Sequence, residues 1–367
     1  MKRTAVSRRT FAGMCLALGL SGMLAGCGSK PAQNGDTAAD QETRSFTDSL
    51  GRTVEVPVKI ERIAPSGSTA QQVLLTMAPQ LMVGLAQSLY DSQLKYVDER
   101  FATIDVLGAA FGAKGDMNRE AVAAAGAQVV IDTGEPTEGL AADIDALQEQ
   151  LGIPVVFVNT PLNDYASAYE LLGDLLGLPE RGHELAQYCS AAYAQVEEVM
   201  TSIPADERVN MAYLVGDDGL RAIAKGSYQG AIIDMCANNV VEVEKASGSG
   251  SGNEISLEQI AVWDPELIVF GPKSIYDTVG DEPAWQSLTA IEQGNYYQVP
   301  SEPWTWLNNP PTVNQILGLQ WLPRLLYPHL FEDDLQEVVT EYLRLFYGYE
   351  LSDEEYERLT AAARPKA

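Results

Sequence analysis

Histidine, cysteine and positive charge are all scarce in this chain, and each scarcity removes a class of function. Only His183 and His329 occur among 367 residues. Neither follows a strand-like run, so three or four His, Asp or Glu ligands for bare zinc or manganese are not expected, and no metal site is assigned. The same two positions offer no base for a Ser-His or Cys-His nucleophile, and G-x-S-x-G, H-E-x-x-H and C-x-x-C motifs are all absent. No catalytic residue is assigned and the chain does not read as an enzyme; no motif points to a resident cofactor. A Walker loop is missing too: the SGSGSG run at residues 247–252 lacks the P-loop lysine and reads as a flexible loop. Twenty-four Lys and Arg stand against 51 Asp and Glu, a formal charge of −27. Such a surface repels nucleic acid, which is excluded as a partner. It disfavours a free anion only weakly, because a cleft can carry a local potential unlike the average.

Long apolar runs are equally few, and the clearest is at the start. Residues 1–26 combine a basic opening, an apolar stretch from about Phe11 to Ala25 and small residues before Cys27, the pattern of an export signal, too short and Gly-rich for a membrane span. Leu24-Ala25-Gly26-Cys27 resembles the bacterial lipobox, which implies a lipid on Cys27, and Ser7-Arg8-Arg9-Thr10-Phe11 resembles a twin-arginine signature. Residues 27–44, rich in Ser, Gly, Asn and Asp, read as a flexible tether to the membrane. Loss of Lys2, Arg3, Arg8 and Arg9 with the leader takes the 24 basic residues to 20 against 51 acidic, a charge of −31. Outside the leader and the anchor two cysteines remain, Cys189 and Cys236. An oxidising exterior permits them to pair; the alternative is two buried small apolar residues.

The remaining stretch, roughly 320 residues, is enough for two ordinary domains. Residues 62–66 (RIAPS), 81–84, 128–132 (QVVID) and 154–158 (PVVFV) are short β-branched runs bounded by Gly, Pro or Asp, and read as buried strands. Residues 69–77, 119–125 and 141–151 between them carry apolar positions at helical spacing. This alternation predicts a parallel sheet with helices over it. A second set, residues 209–215, 220–224, 266–270 and 296–299, predicts a second α/β lobe. Between the sets, residues 179–203 keep helical periodicity from Pro179 to the stop at Pro204, a helix of roughly 36 Å. The expected architecture is α/β: two Rossmann-like lobes, residues 45–178 and 204–367, joined by one long helix, with a ligand cleft between.

A weak internal repeat supports the two lobes. Residues 118–131 (NREAVAAAGAQVVI) and 256–269 (SLEQIAVWDPELIV) each hold an N-cap residue, a Glu two positions later, a short amphipathic helix, a turn and a strand. With FTDSLGRTVEVPVKIERIAPSG (46–67), AWQSLTAIEQGNYYQVP (284–300) and PPTVNQILGLQWLPRLLYP (310–328), the order of these pieces resembles the class III substrate-binding lipoproteins that feed iron-chelate and corrinoid ABC importers. The resemblance spans nearly the whole exported chain. It implies a monomeric extracytoplasmic receptor that holds a small-molecule metal chelate, most simply a ferric siderophore, between its lobes. Its partners would be an ABC permease with its ATPase, and the membrane through the lipid. Haem, a corrinoid or an oxyanion such as molybdate fits the same resemblance; a sensor, an adhesion module or a surface hydrolase is the rival from another class. Glu120 and Glu258 fall where the family places one acidic residue per lobe to dock on permease arginines. The bland alternative is that both complement a helix dipole.

In open α/β sheets the ligand sits beyond the carboxyl ends of the strands, so candidate contacts are read from the residues just after each strand. Ser66 and Ser68 open a helix near Thr69 and either hold an anionic group or make an ordinary N-cap. Trp304 and Trp306, in a Pro-rich loop, supply flat area for stacking on a planar chelate, or pack in the core. Tyr90 and Tyr228 are further aromatic candidates. Arg221, Lys225 and Lys273 are scarce cations suited to carboxylate or hydroxamate oxygens.

Overall fold

The structure, a computed structural model, describes residues 42–111 and 115–365. The leader, Cys27 and all but the end of the tether lie outside the described residues. That end is already strand: β1 (Thr43–Thr47) pairs antiparallel with β2 (Thr53–Pro57). Buried Asp48 closes the hairpin by accepting from Leu50 N, Arg52 N and Arg52 Nε, at 3.0, 3.1 and 3.0 Å.

The first lobe continues through β3 (Ile63–Pro65), α1 (Ser68–Met77), α2 (Asp91–Leu94), α3 (Arg119–Ala124), β4 (Val129–Gly134), α4 (Leu140–Leu151), β5 (Val155–Asn159) and α5 (Tyr165–Leu176). Its sheet is parallel in the order β3-β4-β5. Residues 81–84, expected as a strand, make only a single bridge from Met82 to Ile63. A 3-10 turn at Pro79–Leu81 takes the start of that run, leaving too few extended residues before Gly84 to form a ladder.

Helix α6 (Pro179–Ser202) leads to the second lobe. There follow β6 (Asn210–Val215), β7 (Arg221–Ala222), α7 (Ala231–Cys236), β8 (Asn238–Asn239), β9 (Asn253–Glu254), α8 (Leu257–Trp263), β10 (Leu267–Phe270), α9 (Thr289–Glu292), β11 (Tyr296–Gln298), α10 (Gln315–Leu326), α11 (Leu335–Tyr347) and α12 (Asp353–Thr360). The second sheet runs β11-β10-β6-β7-β9, with β8 beside the start of β6. Strands β11, β10 and β6 are parallel; β7 is antiparallel to β6.

The two-residue period of the strands explains why they read as continuous apolar runs. In β4, Val129 and Ile131 face the inner core while Val130 faces an outer layer with Ile144 and Leu147 of α4. In β6, Met211 and Tyr213 face inward, whereas Ala212 and Leu214 join Ile260, Phe270 and Trp285 outside. The inner core is one continuous cluster that includes Leu185, Cys189, Val196 and Met200 of α6, so this helix is packed as well as a connector. It lies tight on α5: a Cβ at Gly182 would sit 2.5 Å from the Tyr169 carbonyl oxygen and 3.0 Å from Gly173 Cα. Cys189 and Cys236 are free and buried, the second of the two alternatives above. Burial pushes both thiols up, Cys236 to about 12.

Candidate ligand-binding cleft

The carboxyl ends of β4 and β5 present Thr133, Gly134, Glu135 and Asn159, and those of β6 and β10 present Gly216 and Gly271. Tyr228 of the second lobe feels the Glu135 carboxylate of the first; burial comes first and that charge second in pushing its hydroxyl up to about 12. Buried polar atoms without partners gather at the same ends: Thr133 Oγ1 and Asn159 Oδ1 on one lobe, Asn308 Nδ2 on the other. Groups of this kind are expected where a ligand or water completes the hydrogen bonding.

On the first lobe, Ser66 is fully buried. Its hydroxyl bonds to Asp132, its N–H donates to the Ile131 carbonyl and its own carbonyl accepts from Ala110. Every polar group of Ser66 is used inside the lobe, so the expectation of ligand contact fails there. Ser68 stands half-buried at the first turn of α1, where Gly67 has no side chain to cap the free N–H groups. Tyr90 is 71% exposed beside α2.

Trp304 and Trp306 are corrected more sharply. Both are buried, Trp306 completely, and its ring meets Trp321 edge-on at 6.4 Å while Nε1 donates to the Glu302 carbonyl at 3.0 Å. Trp304 stacks on Tyr347 at 5.9 Å. The polar handle of Trp306 is satisfied internally and α10 closes over the ring, so neither offers a face to a ligand.

The second lobe's contribution is a cavity of about 160 Å³ lined by Arg221, Gly250, Gly271, Thr305, Asn308 and Asn309 among others. Arg221 reaches it from β7, held by Nε donating to Ser251 O at 2.7 Å and Nη1 to Glu254 at 3.3 Å. Tyr213 O–H donates to Asn308 Oδ1 at 2.9 Å. The SGSGSG run is laced rather than loose: Asn253 accepts from Ser247 N, Ser249 N–H donates to Ser247 Oγ, and Gln229 donates to Gly248 O. Lys273, exposed on the loop after β10, has a left-handed backbone with φ of 56°, and Lys225 pairs with Glu242 at 3.4 Å. Tyr228 O–H donates to Pro311 O at 3.3 Å.

Sequence reasoning singled out none of Thr305, Asn308, Asp132 and Glu302, although Glu302 and Thr305 lie in the Pro-rich loop of Trp304 and Trp306 that it placed at the cleft. Glu302 joins the lobes: Arg358 grips it with two bonds of 2.7 and 2.8 Å, and Tyr96 of the first lobe donates to it at 2.9 Å. Arg358 first, with Tyr96 assisting, holds the Glu302 carboxyl below its usual range against the effect of burial. Beside it Lys95 pairs with Glu355 at 2.7 Å, and the Tyr96 and Tyr349 rings lie 4.6 Å apart. Asn-Asn before Pro-Pro at 308–311 was the one sequence signal of a special turn there.

Glu120 and Glu258 are exposed in the first turns of α3 and α8, capped by Asn118 and Ser256. Its own backbone N–H, then the Ser256 hydroxyl, hold Glu258 below the usual carboxylate range. Among the described residues no three His, Cys, Asp or Glu cluster to hold a metal, and no helix is long and apolar enough to cross a membrane.

Residues 74–303 match the family described as periplasmic binding protein. An ABC transporter solute-binding protein from Sulfurospirillum deleyianum has a similar structure, with a TM-score of 0.78 and 28% identity over 87% of this chain and 99% of that one. MolA of Haemophilus influenzae, solved with molybdate, shares the fold at a TM-score of 0.66 and 21% identity over 84% of this chain and 99% of its own. The Fe(3+)-citrate-binding protein YfmC of Bacillus subtilis is 27% identical over 115 residues, 30% of this chain; the match spans 35% of that relative's length.

Proposed function

The chain belongs to the periplasmic binding protein family, solute carriers of ABC transporters that do no chemistry on their cargo, and we propose that it captures a ferric siderophore or similar iron chelate and delivers it to a permease and its ATPase. The observation that carries this is the cleft itself, where buried polar atoms without partners among the described residues, Thr133 Oγ1 and Asn159 Oδ1 of one lobe and Asn308 Nδ2 of the other, gather at the carboxyl ends of the parallel strands of two sheets. The likeness to an Fe(3+)-citrate-binding protein supports iron as the cargo's metal. Ser68, Tyr90, Arg221, Lys225, Tyr228 and Lys273 are the side chains we assign to the ligand, with metal held by the chelator and not by the protein. The L-A-G-C sequence supports an extracytoplasmic protein tied to the membrane by a lipid on Cys27 once residues 1–26 are removed, and we take it to act as a monomer.

A thermal-shift panel of ferric siderophores, ferric citrate, haem, corrinoids and molybdate tests the cargo. A ligand at a hundred times its dissociation constant adds about 2.7 kcal/mol, readily visible as a higher melting temperature. A shift with a ferric chelate is the expected result, and no shift with any of the panel refutes the reading. Glu120 and Glu258 are exposed at matching helix starts, which supports a two-point dock on permease cations. The double change Glu120→Arg with Glu258→Arg should abolish uptake and leave ligand affinity intact; undiminished uptake would dispose of the dock.

A further inference from the structure

The geometry points to the cavity at the ends of β6 and β10 as a subsite for one small oxyanion group, a carboxylate arm of the chelate, gripped by hydrogen-bond donors alone. This rests on the cleft being the ligand site and says which chemistry its second lobe reads.

Charge comes first. In a chain with 51 acidic residues, not one carboxylate lines this cavity, and its one charged lining residue is Arg221. Three of the five guanidinium N–H groups bond to Ser251 O, Glu254 and Gly252 O, which fixes the head and leaves two N–H free. Lys273 stands next to the lining residue Pro272, and its ammonium has no partner among the described residues.

Unmet hydrogen bonding comes second. Asn308 is 1% exposed; its Oδ1 is taken by Tyr213, and its Nδ2 has no partner among the described residues. Thr305 is 8% exposed, and its carbonyl accepts from Asn314 while its hydroxyl bonds to none of the described residues. The amide, the hydroxyl and the guanidinium belong to three residues that line one small space. Ionised oxygens, which only accept, match that set, and a cation does not.

Shape agrees. A cavity of about 160 Å³ is room for a carboxylate arm or a tetrahedral oxyanion. Glycines bring backbone close on two sides: a Cβ at Gly250 would stand 3.2 Å from the Asn309 side chain, and one at Gly271 3.1 Å from Val215. Three non-glycine residues among those described have positive φ. Asp264 merely ends α8, whereas Asn309 at 58° lines this cavity and Lys273 at 56° follows its lining residue Pro272. Such backbone persists where the surroundings over-determine it.

The test is calorimetric titration of the full chain and of Arg221→Gln and Thr305→Val with ferric citrate, iron-free citrate, molybdate and an uncharged ferric trihydroxamate. Arg221→Gln should weaken ferric citrate about ten- to hundredfold and weaken the uncharged chelate by a clearly smaller factor, with Thr305→Val acting in the same direction and iron-free citrate competing. Far-ultraviolet circular dichroism and melting curves of both variants confirm that they are folded. Unaltered ferric citrate affinity in both variants overturns the subsite and leaves the transport reading standing. Binding of the uncharged chelate alone, or of molybdate alone, also overturns it, the latter in favour of a free oxyanion as the whole cargo. If no compound binds the unaltered chain, the cleft reading falls and the subsite with it.

Discussion

Asp132→Asn should make the protein more stable at neutral pH and leave it unchanged near pH 4. Asp132 is 7% exposed in β4, with Ser66 bonded to it and no cation among the described residues paired with it. Burial, opposed by the Ser66 hydroxyl and the Thr133 N–H, pushes its carboxyl up from 3.8 to about 6. In the unfolded chain an aspartate titrates near 3.9. Because the folded value is the higher one, the group's contribution is fully present below the unfolded value and is lost as pH rises towards and through about 6. Two pH units at about 1.4 kcal/mol each give a loss of up to roughly 3 kcal/mol at pH 7 and above. An Asn keeps an oxygen for the Ser66 hydroxyl and carries no charge, so it avoids that loss. The assay is urea unfolding of both proteins at pH 4, 5, 6, 7 and 8, taking the difference so that all other titrating groups cancel. The expected difference is near zero at pH 4 and grows to a few kcal/mol in favour of Asn by pH 7. A difference that stays flat from pH 4 to 8 would show that the carboxyl does not titrate in this window, and the burial argument would fail.

Trp306→Ala should cost about 3 to 5 kcal/mol of stability, since it empties a site that is fully buried against Trp321. A variant that melts like the parent but binds ligand poorly would return Trp306 to the cleft. Gly182→Ala should destabilise by about 1 to 3 kcal/mol or more, because its Cβ meets the Tyr169 carbonyl and Gly173 Cα, neither of which is a flexible side-chain end. An unchanged melting temperature would mean that α5 and α6 can part without penalty.

The architecture was legible wherever one short segment decides its own environment. QVVID and ELIVF are apolar on both sides because both faces of each sheet are covered, and residues 179–202 carry an unbroken helical stripe because one face lies on the shared core. The site was less legible because its members answer to distant partners. Ser66 looks like any helix-opening serine until Asp132, from a neighbouring strand, takes its hydroxyl. Trp304 and Trp306 have the composition of a stacking platform and of a core alike; what separates the two is α10 against Trp306 and Tyr347 at the end of α11 against Trp304. Asn308 is marked only by the Asn-Asn-Pro-Pro turn and Thr305 by nothing of its own, since the space they line exists only when the loops after β6, before β9 and after β10 and β11 meet.

The strip from Pro300 to Thr312 works as a mechanical linkage. Near one end Glu302 is bonded to Tyr96, and at the other Thr312 is bonded to Gln72 of α1, so the first lobe holds it at both ends. Between those fastenings the strip supplies Thr305, Asn308 and Asn309, a wall of the second lobe's cavity. Lobe separation and cavity width are therefore coupled coordinates: spreading the lobes pulls on both ends of the strip, and the load falls on the wall between them.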